Sequence, residues 1–374
     1  MSLKLTAPSS ATKLPLLLAL LCPVIATLPR PSVASDLHLA LPQQQVCTDG
    51  ATVTRGHDLR GQVIVLTGGD SGIGLATAES LARANATVLI AAYNLAHGQE
   101  AAMNISAQTG NPHVSAQAID LSNFTSVREF AAGMLVHTKR VDLLINDAGI
   151  PTPIAGLPAI TPDGFERVFE TNYLGHFLLT QLLLPALRAS PRGGRVVSVS
   201  SYAMNAACVM ARRHPSCLSS EADWRRDATT GTPPDDTLDG RVGPTNYGVS
   251  KFFQTAHMYE LARRESAAGS NVQAYSMHPG VVQTAMTKQV GLTNDTCIVA
   301  CLADMGRIVD KCQPGVCPIL PAQAAATIIF LSVAAKGGLT SGEYYFECAL
   351  ADKPTPRGWS WERDPALLYR RHSI

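Results

Sequence analysis

The clearest signal in the chain is its alternation of two hydrophobic rhythms. An apolar run, Val63–Leu66, stops in a glycine-rich turn and gives way to helical spacing at Ile73, Ala76 and Leu81. A second apolar run follows at Thr87–Ala92. Continuous apolar strands separated by a helix predict a βαβ unit whose strands are parallel and covered on both faces. The same rhythm predicts strands in "HVSAQAID", "VDLLIND", "RVVSVSS", "VQAYSMHPG" and "EYYFECAL". Helices are expected over about 127–138, 163–189 and 322–334, with one more starting near Tyr247.

Two stretches break this rhythm. Residues 203–245 contain "RRHPSC", "TTGTPPDD" and "LDGRVGP", which is turn chemistry. Residues 285–321 join a short apolar piece to four cysteines. Long loops inside a compact domain usually carry function or lack order. The fold class expected is α/β, a doubly wound parallel sheet of the Rossmann type. It forms a single domain over 58–350 with two Cys-containing insertions, and a tail follows from 351.

Composition narrows the classes. The 374 residues have a formal net charge of +1 and no long Lys/Arg cluster, so there is no electrostatic footprint for nucleic acid. With 46% apolar and 16% charged residues, extended disorder is disfavoured. The first 34 residues carry Lys4 and Lys13, no acid, and an apolar run from Leu14 to Leu28 broken by Pro15 and Pro23. A spanning helix needs about 20 apolar residues, so this run fits a signal peptide, with a short anchor or a transit peptide as the alternatives. Residues 35–57 then form a leader segment before the domain. Removing Cys22 leaves eight of the nine cysteines, and N-x-S/T sequons stand at Asn85, Asn104, Asn123 and Asn294. The expected location is the secretory pathway, with glycans and disulfides; the alternative is a protein held at a membrane by its N-terminus. The spacing of Cys297, Cys301, Cys312 and Cys317 also admits zinc or free thiols, and no metal site is assigned.

Chemistry-bearing residues sit where the rhythm changes. "TGGDSGIG" places Gly68, Ser71, Gly72, Ile73 and Gly74 between a strand and a helix. Unpaired N–H groups at such a helix start can hold a diphosphate. Tyr247 and Lys251 in "YGVSK" are four apart, hence on one helical face. A nearby ammonium stabilises a phenolate and makes the tyrosine a usable proton donor or acceptor. Ser200 and Ser201 in "SVSS" both qualify as partners of a substrate oxygen, and strand alternation allows only one of them.

These motifs, with "NDAG" (Asn146–Gly149), Asn172 in "ETNYLGHF" and "HPGVVQT", resemble in kind and order the short-chain dehydrogenase/reductase family. The branch most similar contains the retinol dehydrogenases and the WW-domain oxidoreductase, here without a WW domain. The resemblance spans roughly 58–372. It implies an NAD(P)-dependent oxidoreductase that interconverts an alcohol with a ketone or aldehyde. Tyr247 would act as general acid/base, Lys251 would lower its pKa and hold the nicotinamide ribose, Ser201 would bind the substrate oxygen, and Asn172 would support a water relay. It further implies cofactor contacts at Asp120, Leu121, Asn146, Ala148, Gly149, Pro279, Gly280, Val282 and Thr284. Residues from Pro279 to Pro321 would cover the substrate, a small lipophilic molecule.

Three departures stand out. Where the branch has an arginine for a 2′-phosphate, this chain has Tyr93 and Asn94, and the glycine turn carries Asp70. This leans the cofactor from NADP towards NAD. Asp147 replaces the family's usual Asn, and no function is assigned to it. His176 and His278 fall within family motifs and are read as structural. The competing expectation is a catalytically idle secretory or surface binding protein that keeps the fold; the oligomeric state stays open.

Overall fold

The computed structural model describes residues 47–152, 154, 156–201, 203–204, 244–289, 319–335 and 337–351. The leader (1–46), Asn294, the cysteines between 208 and 317, and the tail from 352 lie outside them. All described residues belong to the unit Gln45–Ile374.

The elements run α1 (Gly50–Thr54), β1 (Val63–Thr67), α2 (Gly72–Arg83), β2 (Thr87–Ala92), α3 (Leu95–Thr109), β3 (Val114–Ala118), α4 (Phe124–His137) and β4 (Leu143–Asn146). Then come α5 (Arg167–Phe169), a π-helical turn (Glu170–Leu174), α6 (Gly175–Arg188), β5 (Arg195–Val199), α7 (Pro244–Ala267) and β6 (Gln273–Met277). Last are α8 (Ala285–Gln289), α9 (Pro321–Val333), β7 (Tyr344–Phe346) and β8 (Ala349–Leu350). The sheet order is β3-β2-β1-β4-β5-β6-β7-β8, parallel throughout except for the last pair. The order reverses between β1 and β4. At that switch point strands on either side feed helices to opposite faces, which opens a crevice beyond their carboxyl ends.

Burial explains the apolar runs. Ile64 and Leu66 face one helical layer while Val65 faces the other, so β1 has no solvent side. One cluster joins the sheet to α2, α3 and α9, and the other joins it to α4, α6 and α7. Each fully buried Leu or Ile stabilises by about 1.5–3 kcal/mol. Arg195 caps α9 by donating to the carbonyls of Leu331, Ser332 and Ala334.

The hydrophobic pattern does not mark α1 or α3. Nor does it anticipate that the long helix near 163–189 is interrupted by the π turn, or that the last apolar segment folds as a hairpin. That hairpin turns at Glu347 and Cys348, both with positive φ (48° and 60°). Residues other than Gly rarely adopt this conformation. Two bonds hold it: Cys348 N–H donates to Thr327 Oγ1 (3.1 Å), and Cys348 is disulfide-bonded to Cys47. The bridge links the start of α1 to the end of the sheet across 301 residues of chain. Cys47→Ser and Cys348→Ser should therefore each lower unfolding free energy by about 2–5 kcal/mol. The double variant should cost no more than either single one in denaturant unfolding followed by circular dichroism.

Candidate active site

At the carboxyl end of β1 the chain turns through Gly68 (φ +70°) into α2. A Cβ on Gly74 would stand 2.1 Å from Gly68 O, so the turn closes only with glycine there. Ser71 occupies the N-cap position without spending its side chain on the cap. The turn is flanked by Ala148, within 3.0 Å of a Cβ on Gly68, and by Thr284, within 3.3 Å of one on Gly72. Three predicted segments thus meet around one concavity. A helix start of this kind suits an anionic diphosphate, although here the Asp147 carboxylate stands beside Gly74 in its first turn.

Across the switch point lie the other predicted residues. The Ser201 hydroxyl hydrogen-bonds the Tyr247 phenol, and Lys251 Nζ stands 5.5 Å from the Tyr247 ring centre. Lys251 is 3% exposed and donates to Val199 O at 2.8 Å. Asn172 sits in the π turn; its Nδ2 donates to Ile150 O and Ser250 Oγ, and its Oδ1 accepts from Ile150 N–H. π turns of this kind widen a helix by one residue and free backbone groups for other partners. Here the Asn172 carbonyl is taken by His176 Nδ1 at 2.8 Å.

Burial dominates the electrostatics. It pushes the Lys251 ammonium down to about 8, opposed by the Asp147 carboxylate. It also raises the Tyr247 phenol above its ordinary value; the Ser201 hydrogen bond lowers it and the Asp147 charge raises it again. Desolvation is the first cause at Tyr247, and the Lys251 ammonium donates to Val199 O. His176, buried beside Thr67, is held down to about 4 and is neutral.

Comparisons with known proteins agree with this layout. The short chain dehydrogenase family model matches residues 62–211. Human retinol dehydrogenase 11 is 36% identical over 253 residues, which cover 67% of this chain and 71% of the relative. Human retinol dehydrogenase 13 is 32% identical over 289 residues, 76% of each. The chain belongs to the short-chain dehydrogenase/reductase family. Within that family it falls in the retinol-dehydrogenase-like branch, and it is an NAD(P)-dependent oxidoreductase. An uncharacterized protein from Mycobacterium paratuberculosis shares the fold at a TM-score of 0.53 and 28% identity, over 78% of this chain and 82% of that one. The RhlG/NADP complex of Pseudomonas aeruginosa does so at 0.53 and 24%, over 77% and 94%.

In this dehydrogenase several predicted cofactor residues already have structural work. Asn94 caps α3, its Oδ1 accepting from Ala96 N–H and His97 N–H. Asp120 Oδ1 accepts from Ser122 N–H and Ser122 Oγ, as a turn aspartate does. Asn146 ties β4 to α6 through Thr180 Oγ1, and its buried Oδ1 has no partner among the described residues. Ile73 and Leu121 line the turn and the β3 end, Tyr93 is 65% exposed, and Gly280 stands near Phe346 and Ile319. Val282, in the segment after Pro279, makes an isolated parallel bridge to Ile319.

Thr67, Ser250 and Thr255 were not foreseen as part of this network. Thr67 had one usable signal, a hydroxyl ending an otherwise apolar strand at the glycine turn. The two serines differ in their surroundings. Ser200 is buried, donating to Lys251 O (2.7 Å) and accepting from Thr255 Oγ1 (3.0 Å), whereas Ser201 faces Tyr247. Ser200→Ala should cost about 1–2 kcal/mol of stability. Ser201→Ala should cost less than about 0.5 kcal/mol, as read by thermal unfolding of each variant.

Proposed function

We propose that the enzyme interconverts a lipophilic alcohol, of retinoid-like or steroid-like kind, and its carbonyl, using Tyr247 as general acid/base. The observation that carries this reading is the convergence of Tyr247, Ser201, Lys251 and Asn172 around the cleft at the β1/β4 switch point. When bound, the nicotinamide cofactor supplies or accepts the hydride. In reduction the Tyr247 hydroxyl gives its proton to the carbonyl oxygen as negative charge develops there; in oxidation the proton returns. The Ser201 hydroxyl donates to the same oxygen. Lys251 has three N–H donors, and Val199 O occupies one of them. The others remain for ribose hydroxyls and the phenol side of the cleft. A lipophilic substrate is supported by the similarity to retinol dehydrogenases. It is also supported by exposed Ile154 and Leu157, a few residues beyond the Asn172-bound Ile150, and by exposed Leu320.

The cofactor preference leans to NAD. Tyr93 and Asn94 offer no positive charge to a 2′-phosphate, and Asp70 adds a negative one at the turn. A panel of retinoids, steroids and simple carbonyls with each cofactor tests both points. The expectation is higher kcat/KM with the unphosphorylated cofactor. Tyr247→Phe should lower kcat by about 10²–10³-fold, with cofactor Kd nearly unchanged. Full activity in that variant would refute the mechanism.

We further infer passage through the secretory pathway, supported by the leader composition and the Cys47–Cys348 bridge. Asn85 and Asn104 are exposed, one just after α2 and the other in the half of α3 that leads back to the amino-terminal edge of the sheet. Glycans there leave the cleft clear. Asn123 is half-buried at the opposite edge and caps α4 through Thr125 and Ser126 N–H. Glycopeptide mapping of the secreted chain should find glycans at Asn85 and Asn104 and none at Asn123. A chain with all three bare would sink the secretory reading.

A further inference from the structure

The chemistry above gives His278 no part, yet its ring is closely placed. The residue follows β6 directly, and its N–H donates to Tyr345 O at 3.2 Å, which carries the β6–β7 pairing one residue further. Tyr344 and Phe346 lie two apart on β7 and so share a face of the sheet. The buried imidazole stacks on both rings, with centres 4.0 Å apart at 11° for Phe346 and 5.7 Å apart at 27° for Tyr344. Each neighbour is itself anchored. Tyr344 belongs to the aromatic cluster that holds Tyr173 of the π turn and Phe252 of α7. Phe346 precedes the turn at Glu347 and Cys348, which the Cys47–Cys348 bridge and the bond to Thr327 Oγ1 hold.

The ring's Nδ1 is committed to the backbone two residues on. It accepts the Gly280 N–H at 3.2 Å, across Pro279. Burial pushes the imidazole down to about 4, so above that it is neutral, with Nδ1 as acceptor and the proton on Nε2. Gly280 takes φ +82°, and a Cβ on it would lie 3.7 Å from both Phe346 Cε2 and Ile319 Cδ1. The segment then runs through Val282, bridged to Ile319, to Thr284, whose Cγ2 stands 3.3 Å from a Cβ on Gly72. Contacts therefore lead from the hairpin, through one imidazole, to the glycine turn.

We propose that His278 is a positioning residue for the nicotinamide cofactor: stacked on the hairpin, it holds the Gly280 amide through Nδ1 and so sets residues 279–284 against the glycine turn. This rests on the reading that Pro279, Gly280, Val282 and Thr284 contact the cofactor. Glycine populates both signs of φ about equally, and the bond to Nδ1 weights Gly280 towards the one that leads to Thr284. Cofactor binding then need not order this turn, and affinity rises by the ordering cost avoided.

The test is His278→Ala, with His278→Asn and Phe346→Leu beside it. An asparagine can offer Oδ1 to the N–H two residues on, without a ring to stack. Phe346→Leu leaves the imidazole and removes its nearer stack. Two quantities are measured: hydrogen exchange of residues 280–284 in the cofactor-free protein, and Kd for NADH and NADPH by fluorescence. In His278→Ala exchange should quicken and Kd should rise about 5–10-fold, as for the loss of one hydrogen bond. His278→Asn should recover part of both, and Phe346→Leu should raise Kd about 2–5-fold. A merely structural role lowers thermal stability and leaves Kd of the folded protein as it is. Faster exchange with Kd within twofold of wild type means that these residues do not contact the cofactor, and that reading falls together with the proposal. Unchanged exchange in the folded variants, whatever the Kd, overturns the positioning role alone. Should His278→Ala not fold, the other two variants decide by the same criteria.

Discussion

The Thr67 hydroxyl is the joint on which the cleft depends. As the last residue of β1 it accepts N–H groups from Asp147 and Ala148 and meets His176 Nε2 at 2.9 Å. The ring's other nitrogen faces the Asn172 carbonyl, which can only accept, so Nδ1 carries the proton and Nε2 takes the one from Thr67. Since His176 is held near 4, this tautomer persists across the working range of pH. One hydroxyl thereby sets the gap between β1 and β4 and satisfies the carbonyl released by the π turn. The Asn172 side chain is then free to clasp Ile150 from both sides and reach Ser250. An apolar residue at 67 would orphan two amides and an imidazole, each at about 1–3 kcal/mol. The cost would fall on the geometry of the site as well as on stability.

The second constraint is dryness. A tyrosine and a lysine four residues apart share a face of α7, and that spacing suggests a phenol kept acidic by its neighbour. Packing changes the balance. Desolvation raises the phenol and depresses the ammonium, so each group by itself drifts towards neutrality. Desolvation sets the direction at Lys251, and the Asp147 charge opposes it.

Most of the frame was legible because parallel strands buried on both faces cannot hide their apolar runs. What stayed hidden has specific causes. The buried face of α3 is Gly98, Ala101, Ala102 and Ile105, too small to give an apolar rhythm. A Cβ on Gly98 would stand 2.7 Å from Ala92 Cβ, showing how closely the helix lies on the sheet. Its limits were readable all the same, from Asn94 as N-cap and Gly110 in the left-handed conformation as C-cap. Asn94 and Asp120 were readable as residue types but not as roles, since a polar side chain at a strand end serves a turn as readily as a ligand. The π turn has no sequence signature in "ETNYL". The Cys47–Cys348 pairing spans 301 residues, and no local pattern reaches that far.

The two interruptions leave and rejoin the frame at packed points. The first interruption leaves after Met204, whose sulfur touches Ser200 and Thr255, and the chain returns at Pro244, three residues before Tyr247. The second leaves after α8 and returns at Ile319, which pairs in parallel with Val282 through bonds to Val281 and Gln283. Beside that return, Phe346 stacks on His278 at 4.0 Å and stands close to Gly280. The disulfide-held hairpin therefore braces the loop that carries Pro279 and Gly280. Both interruptions open at the carboxyl edge of the sheet and are anchored by packed or hydrogen-bonded ends, so their length and sequence can change without moving Thr67, Asn172 or Lys251. In the proposed reaction, substrate choice would rest with the segments between these ends and proton transfer with the strands and α7. The same sheet edge holds both functions because the switch point is where backbone groups are left free to serve them.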